Sequence, residues 1–186
     1  LNVGQVMERE AKAQARKDEW RTVYEDCYEF ALPQRNLYSG YYEGGVSGKN
    51  KMTRVFDSTA IHATQRFANR IQAGLFPPYK EWCRLETGSG IPEQSRGQAQ
   101  SVLDQYTTTM FETLRQTNFD LAMGEFLLDL SVGTAVMMIM PGDEATPIRF
   151  APIPQYLVAI EEGAFGNVDN VYRKLRLKAE AIPVEY

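Results

Sequence analysis

Ser58 and His62 stand four residues apart, a spacing that lets a hydroxyl and an imidazole touch on one helix face. Chemically this would be a nucleophile beside its base, the start of a soluble α+β hydrolase-like domain. Such a nucleophile also needs an oxyanion hole and a cleft, and a helix interior offers neither. In the plainer reading Ser58 caps the helix and His62 is an exposed or interfacial polar residue. His62 is the only histidine. With two scattered cysteines it cannot make a His/Cys zinc site by itself. Cys27 and Cys83 each sit among apolar neighbours and read as core fillers, not as a disulfide framework.

Three other groupings could carry chemistry. Gly44 to Lys49 invites comparison with a phosphate-binding loop, but Gly44 is one residue too close to the Gly-Lys pair and Asn50 stands where Ser or Thr would hold magnesium. The carboxylate pairs Glu125/Asp129 and Glu161/Glu162 could do acid–base work only if burial split their pKa values. Both are expected on solvated faces, where an assembly could bring a neighbour's bases to meet them. The one concentrated basic feature is Arg173, Lys174, Arg176 and Lys178. A period of two puts Lys174, Arg176 and Lys178 on one side, with Val171, Leu175 and Leu177 opposite. That stripe faces DNA or an acidic partner, or it is the solvated side of a half-buried strand. No cofactor is implied by any of these residues.

The elements that must position these groups follow from apolar spacing and punctuation. A helix is predicted from Gln5 to Leu32, charged and Ala-rich at first, its thin apolar face either solvated or laid on a partner. Beyond Trp20 it turns amphipathic, with Val23, Tyr24, Cys27 and Ala31, and Pro33 stops it. Asn36 to Thr53 is rich in Gly, Ser, Asn and Tyr without period and reads as a long loop. Asp57 or Ser58 caps a helix carrying Ile61, Ala68, Ile71 and Leu75, closed by Pro77-Pro78. Glu81 to Glu86 alternates like a short strand. A third helix begins near Pro92 with a stripe of Val102, Leu103, Tyr106, Met110 and Leu114. A fourth, capped by Thr117 or Asn118, turns Leu121, Ala122, Phe126 and Leu130 inward. Strands follow at Thr134 to Met140, Pro147 to Ile153, Tyr156 to Glu161 and Val168 to Lys178, the last two joined by a Gly163–Asn167 turn. Helices first and an antiparallel β meander after them define an α+β fold.

Composition bounds the function. The 186 residues suit one domain with an appended arm, at 44% hydrophobic and 24% charged. A net charge of −4 argues against electrostatic gripping of nucleic acid, yet not against a protein that lets DNA slide past. No run approaches the roughly 20 apolar residues of a membrane span, and no membrane partner is expected. Two cysteines in a chain of this length suit a reduced cytosolic compartment. The sequence starts at Leu1 and ends at Tyr186 after a strand-like stretch, and is read as a fragment of a longer protein.

The order of these segments resembles the portal, or head-to-tail connector, proteins of short-tailed bacteriophages. Tyr24 to Pro33 resembles that family's opening helix and its proline stop. Asp57-Ser58-Thr59-Ala60, then Ala68 to Pro77, then Trp82-Cys83-Arg84-Leu85 resemble its most recognisable stretch. Asn118-Phe119 with Asp129 to Met140 is similar to its helix–Gly–strand passage. Pro154, Tyr156, Val158 and Ala164 to Val168 are similar to its closing hairpin. The resemblance implies a structural, non-enzymatic subunit of a homo-oligomeric ring, a dodecamer, at the portal vertex of the virion, assembled in the host cytoplasm. Such a ring partners capsid and scaffold proteins, the terminase motor and tail adaptors, and passes double-stranded DNA during packaging and ejection. Residues 1–33 would be an N-terminal arm, 34–56 a Gly/Tyr-rich loop and 57–186 a wing-type α+β region that stops before stem and clip. Tyr38, Tyr41 and Tyr42 on the loop are candidate subunit contacts, since aromatics are enriched at interfaces. The loop is expected to order against a neighbouring subunit or assembly partner. Besides the hydrolase-like alternative, a scaffold or adaptor domain that stays monomeric or dimeric is the third expectation.

Overall fold

The computed structural model describes residues 2–35 and 55–175. Among the described residues five α-helices precede the strands: α1 (Val3–Asp18), α2 (Arg21–Ala31), α3 (Thr59–Leu75), α4 (Glu93–Arg115) and α5 (Phe119–Leu130). Then come β1 (Val136–Pro141), β2 (Ile148–Ile153), β3 (Val158–Glu162) and β4 (Val168–Arg173). The α+β order expected from the sequence is borne out, with the strands divided into two antiparallel pairs, β1 with β2 and β3 with β4. The chain folds as two compact units, one of Leu1–Ser58, Val132–Val136 and Ile153–Tyr186, the other of Thr59–Ser131 and Met137–Pro152.

In the first unit, the single helix expected over Gln5 to Leu32 is two helices. Asn2 and Gln5 form a reciprocal capping box that starts α1. At its other end the ladder tightens to an i→i+3 bond, the Trp20 N–H donating to the Lys17 carbonyl at 3.0 Å. α2 then restarts without a side-chain cap and ends before the buried Pro33. α1 packs on β3, which answers where its thin apolar face goes: Ala13 alone is buried, and the remaining contact is polar. β3 and β4 pair from Val158↔Arg173 to Glu162↔Val168, with a register shift after Glu161. Gly166 closes the hairpin at φ 75°, a left-handed conformation that glycine takes without a Cβ clash.

In the second unit, α3 packs along α5, and α4 also meets α5. Phe119, Ala122 and Phe150 form a core with Phe76, Leu114, Met123, Met137 and Ile148 around it. The Phe119 ring lies edge-on to Phe150 at 5.1 Å and stacks on Trp82 at 6.0 Å. Such aromatic pairs add about 0.5–1.5 kcal/mol beyond their buried area.

Several inward faces differ from the sequence pattern. α4 buries Thr107 and Phe111, while Val102 and Tyr106 are exposed. The reason is the segment expected to be a strand, 81–86. It is not one: the Leu85 N–H donates to Thr107 Oγ1 and the Leu85 carbonyl accepts from Gln100 Nε2. Its polar backbone is thus satisfied by α4 side chains in place of a neighbouring strand. α5 buries Phe119, Ala122, Leu127 and Asp129, leaving Leu121 71% exposed. On α3, Thr64 and Ala68 are buried, while Leu75 stays exposed. Cys83 is exposed and Cys27 half-buried, so the core-filling role expected of both fails for Cys83.

Candidate assembly surface

The first unit holds a polar clamp between α1 and the β3–β4 hairpin. Strand alternation puts Glu161 on the α1 side of β3, and helix spacing brings Arg9 to it. Arg9 Nε donates to both carboxylate oxygens, at 2.9 and 3.1 Å. The Tyr172 hydroxyl and Asn170 Nδ2 donate to the same carboxylate at 2.7 and 3.1 Å. With Arg9 bonded first and Tyr172 second, Glu161 titrates below the usual carboxylate range, while Arg9 is pushed up by its bond to Glu161. The Tyr172 phenol is raised because its proton is held by that carboxylate.

Two turns along α1, the Lys17 ammonium donates to the Tyr156 carbonyl at 2.6 Å and lies 5.6 Å from the centre of its ring. Burial disfavours its charge and lowers its pKa to about 8, against the opposing pull of Asp18. Beside it opens a groove with a volume of about 790 Å³, walled by Lys17 and Trp20 and by Val136, Gln155, Val158 and Val168. Gln155 is 5% exposed, and its Oε1 accepts no hydrogen bond among the described residues. Gly133 lets the chain pass this corner: a Cβ there would lie 3.0 Å from the Tyr24 ring and 3.3 Å from Gln155 Nε2.

In the second unit the polar brace is Asn118. Its Nδ2 donates to the Phe150 carbonyl at 2.7 Å and its Oδ1 accepts from the Phe150 N–H at 3.0 Å. One side chain thus pairs with β2 as a neighbouring strand would. Asn118 occupies the cap position of α5 without capping it, while Thr117 Oγ1 accepts from the Phe119 N–H at 3.2 Å. A shallow polar cleft borders Trp82, Cys83, Arg84 and Asp104, closed on one side by the two-pronged Arg84–Asp104 pair.

The sequence candidates fall unevenly on this frame. Lys174 is exposed just past β4, its N–H donating to the Leu157 carbonyl at 2.9 Å. Arg176, Lys178, Tyr38, Tyr41, Tyr42 and the Gly44–Lys49 loop lie outside the described residues. Ser58 precedes α3 and His62 lies in its first turn; both are exposed. The solvated face expected for Glu125/Asp129 is wrong for Asp129, which is 2% exposed. Glu161 meets Arg9 of its own chain, so it is not left for a neighbour's base. Among the described residues no group of three or more His, Cys, Asp or Glu is placed to hold a metal ion. No helix among them is long and apolar enough to cross a membrane.

Sequence reasoning missed the Arg9 clamp, Lys17, the groove and the Asn118 brace. Arg9 and Glu161 are 152 residues apart, and no local pattern links them.

Helices followed by short antiparallel pairs, braced by polar contacts and with a groove of mixed lining in the first unit, define the class as α+β. The chain matches the family described as bacteriophage head to tail connecting protein over residues 3–186, and it belongs to that family. No curated protein matches it. It is therefore a structural component of the phage head–tail connection, a virion protein whose partners are capsid and tail.

Proposed function

We propose that this chain is part of the portal subunit, a protein that closes into a dodecameric ring through which DNA is packaged and ejected. The observation that carries the reading is the family match along nearly the whole chain, residues 3–186. In this reading residues 57–186 supply the wing-type region and 1–33 its arm. Scaffold and terminase motor dock on the ring during assembly in the host cytoplasm, and tail adaptors dock later. The subunit does no chemistry of its own, because the energy of packaging is supplied by the motor. A net charge of −4 supports DNA passing without being held, since each tight phosphate contact would slow movement. Lys174, Arg176 and Lys178 form its candidate basic face and Tyr38, Tyr41 and Tyr42 its candidate subunit contacts.

Gold-labelled antibody against the chain, applied to virions opened at the tail, tests the placement. One labelled point per particle, at the head–tail junction, is the expected result. Label spread over the shell would overturn it.

A further inference from the structure

α3 differs in charge from the rest of the second unit. Its 17 residues include no Asp or Glu. The acids of that unit stand on other elements, among them Glu93 and Asp104 on α4 and Asp120 on α5. α3 buries Thr64 and Ala68 and packs along α5. Spacings of three and four residues gather His62, Gln65, Arg66, Asn69 and Arg70 on the other side, and all five are exposed. None of these side chains has a hydrogen-bond or ion-pair partner among the described residues. Arg84 and Arg149 of the same unit, by contrast, are each paired with a carboxylate.

A ligand that suits this face carries negative charges spaced along a line. Arg66 and Arg70 stand about 6 Å apart along the helix axis, and one strand of duplex DNA presents a charge about every 3.4 Å. Gln65 and Asn69 are side chains of the kind that reach phosphate and sugar oxygens. A protein partner would need an apolar anchor at the centre of the contact. This face offers nothing larger than Ala73, because helical spacing turns Phe67 and Leu75 off it.

The geometry points to α3 as a phosphate-contact face for duplex DNA, with Arg66 and Arg70 as the charged contacts and Gln65 and Asn69 beside them. The inference rests on the proposed passage of DNA and deepens it by naming a surface other than Lys174, Arg176 and Lys178. Two arginines hold a duplex weakly, which suits DNA that must keep moving. Copies in a ring add such contacts along one duplex.

The test is fluorescence anisotropy of the full chain with a labelled duplex of about 30 bp and mixed sequence, from about 50 to about 200 mM salt. Variants are first checked for wild-type circular dichroism. Each phosphate contact adds about 0.9 to the slope of log affinity against log salt. Arg66→Gln together with Arg70→Gln should flatten that slope by about 1.8 and weaken binding about tenfold at the lowest salt. Arg66→Lys with Arg70→Lys keeps the charges and should keep most of the slope. Lys80→Gln removes an exposed charge beyond the end of α3 and should leave the slope unchanged.

A wild-type slope in the double Gln variant would overturn the contact and leave the ring, scored by electron microscopy of the same samples, standing. A lost slope in samples without rings supports the contact and removes the ring. A wild-type chain that does not bind the duplex at the lowest salt would overturn the contact outright. A labelled poly-glutamate peptide that binds more tightly than the duplex, and is lost in the same variant, would overturn DNA as the ligand in favour of an acidic protein.

Discussion

Asn118 shows how much one side chain can hold. It pairs with both backbone groups of Phe150, and its loss leaves a half-buried N–H and C=O without partners. Asn118→Ala should lower stability by about 1–3 kcal/mol, read from urea denaturation at unchanged m-value. Asp143 does similar work in the β1–β2 turn. Its carboxylate accepts from the N–H and hydroxyl of Thr146 and pairs with Arg149, which pushes its pKa down to about 2. A depressed carboxylate stabilises the fold above its ordinary value of 3.8, and that contribution is lost as pH falls toward 2. A carboxylate NMR titration should place the Asp143 midpoint near 2 in the wild type. Arg149→Ala should move it upward, and an unmoved midpoint would remove Arg149 as a cause.

Among the elements, α1 depends most on polar contacts. With Ala13 its only buried residue, it is held by Arg9 on Glu161 and Lys17 on Tyr156. Arg9→Ala should raise amide exchange along α1 several-fold while α5 keeps its protection, and added salt should act in the same direction. Equal exchange in both proteins would mean that α1 is held by something else. Lys17 gives a second handle. Its folded pKa of about 8 lies below its ordinary 10.5, so the unfolded chain binds the extra proton between those values. Stability therefore rises with pH from about 8 to about 10.5, relative to Lys17→Met, which lacks the titration.

These contacts also mark what could be read from the sequence. Proline, glycine and apolar spacing located nearly every element, because those signals are local: Pro77-Pro78 follows α3, and Gly166 closes the β3–β4 turn. Inward faces were less legible on α4. There Thr107 wins the buried position from Tyr106 through a hydrogen bond to Leu85, a partner 22 residues away. Helical periodicity counts apolar residues and cannot register such a bond. The groove likewise combines residues from Ala13 to Val168, and no local pattern announces it.

At the scale of the whole molecule, a component of the head–tail connection must balance a stable body against surfaces that meet neighbours. Stability in the second unit centres on Phe119, which touches Phe76, Trp82 and Phe150. Phe119→Ala should cost about 3–5 kcal/mol, enough to lower the melting temperature by many degrees. The most direct test of the ring itself is electron microscopy of the purified full chain, alone and with its scaffold protein. The account predicts closed rings with a central hole and twelve-fold averages. Particles that remain monomers or open chains in both samples would contradict it.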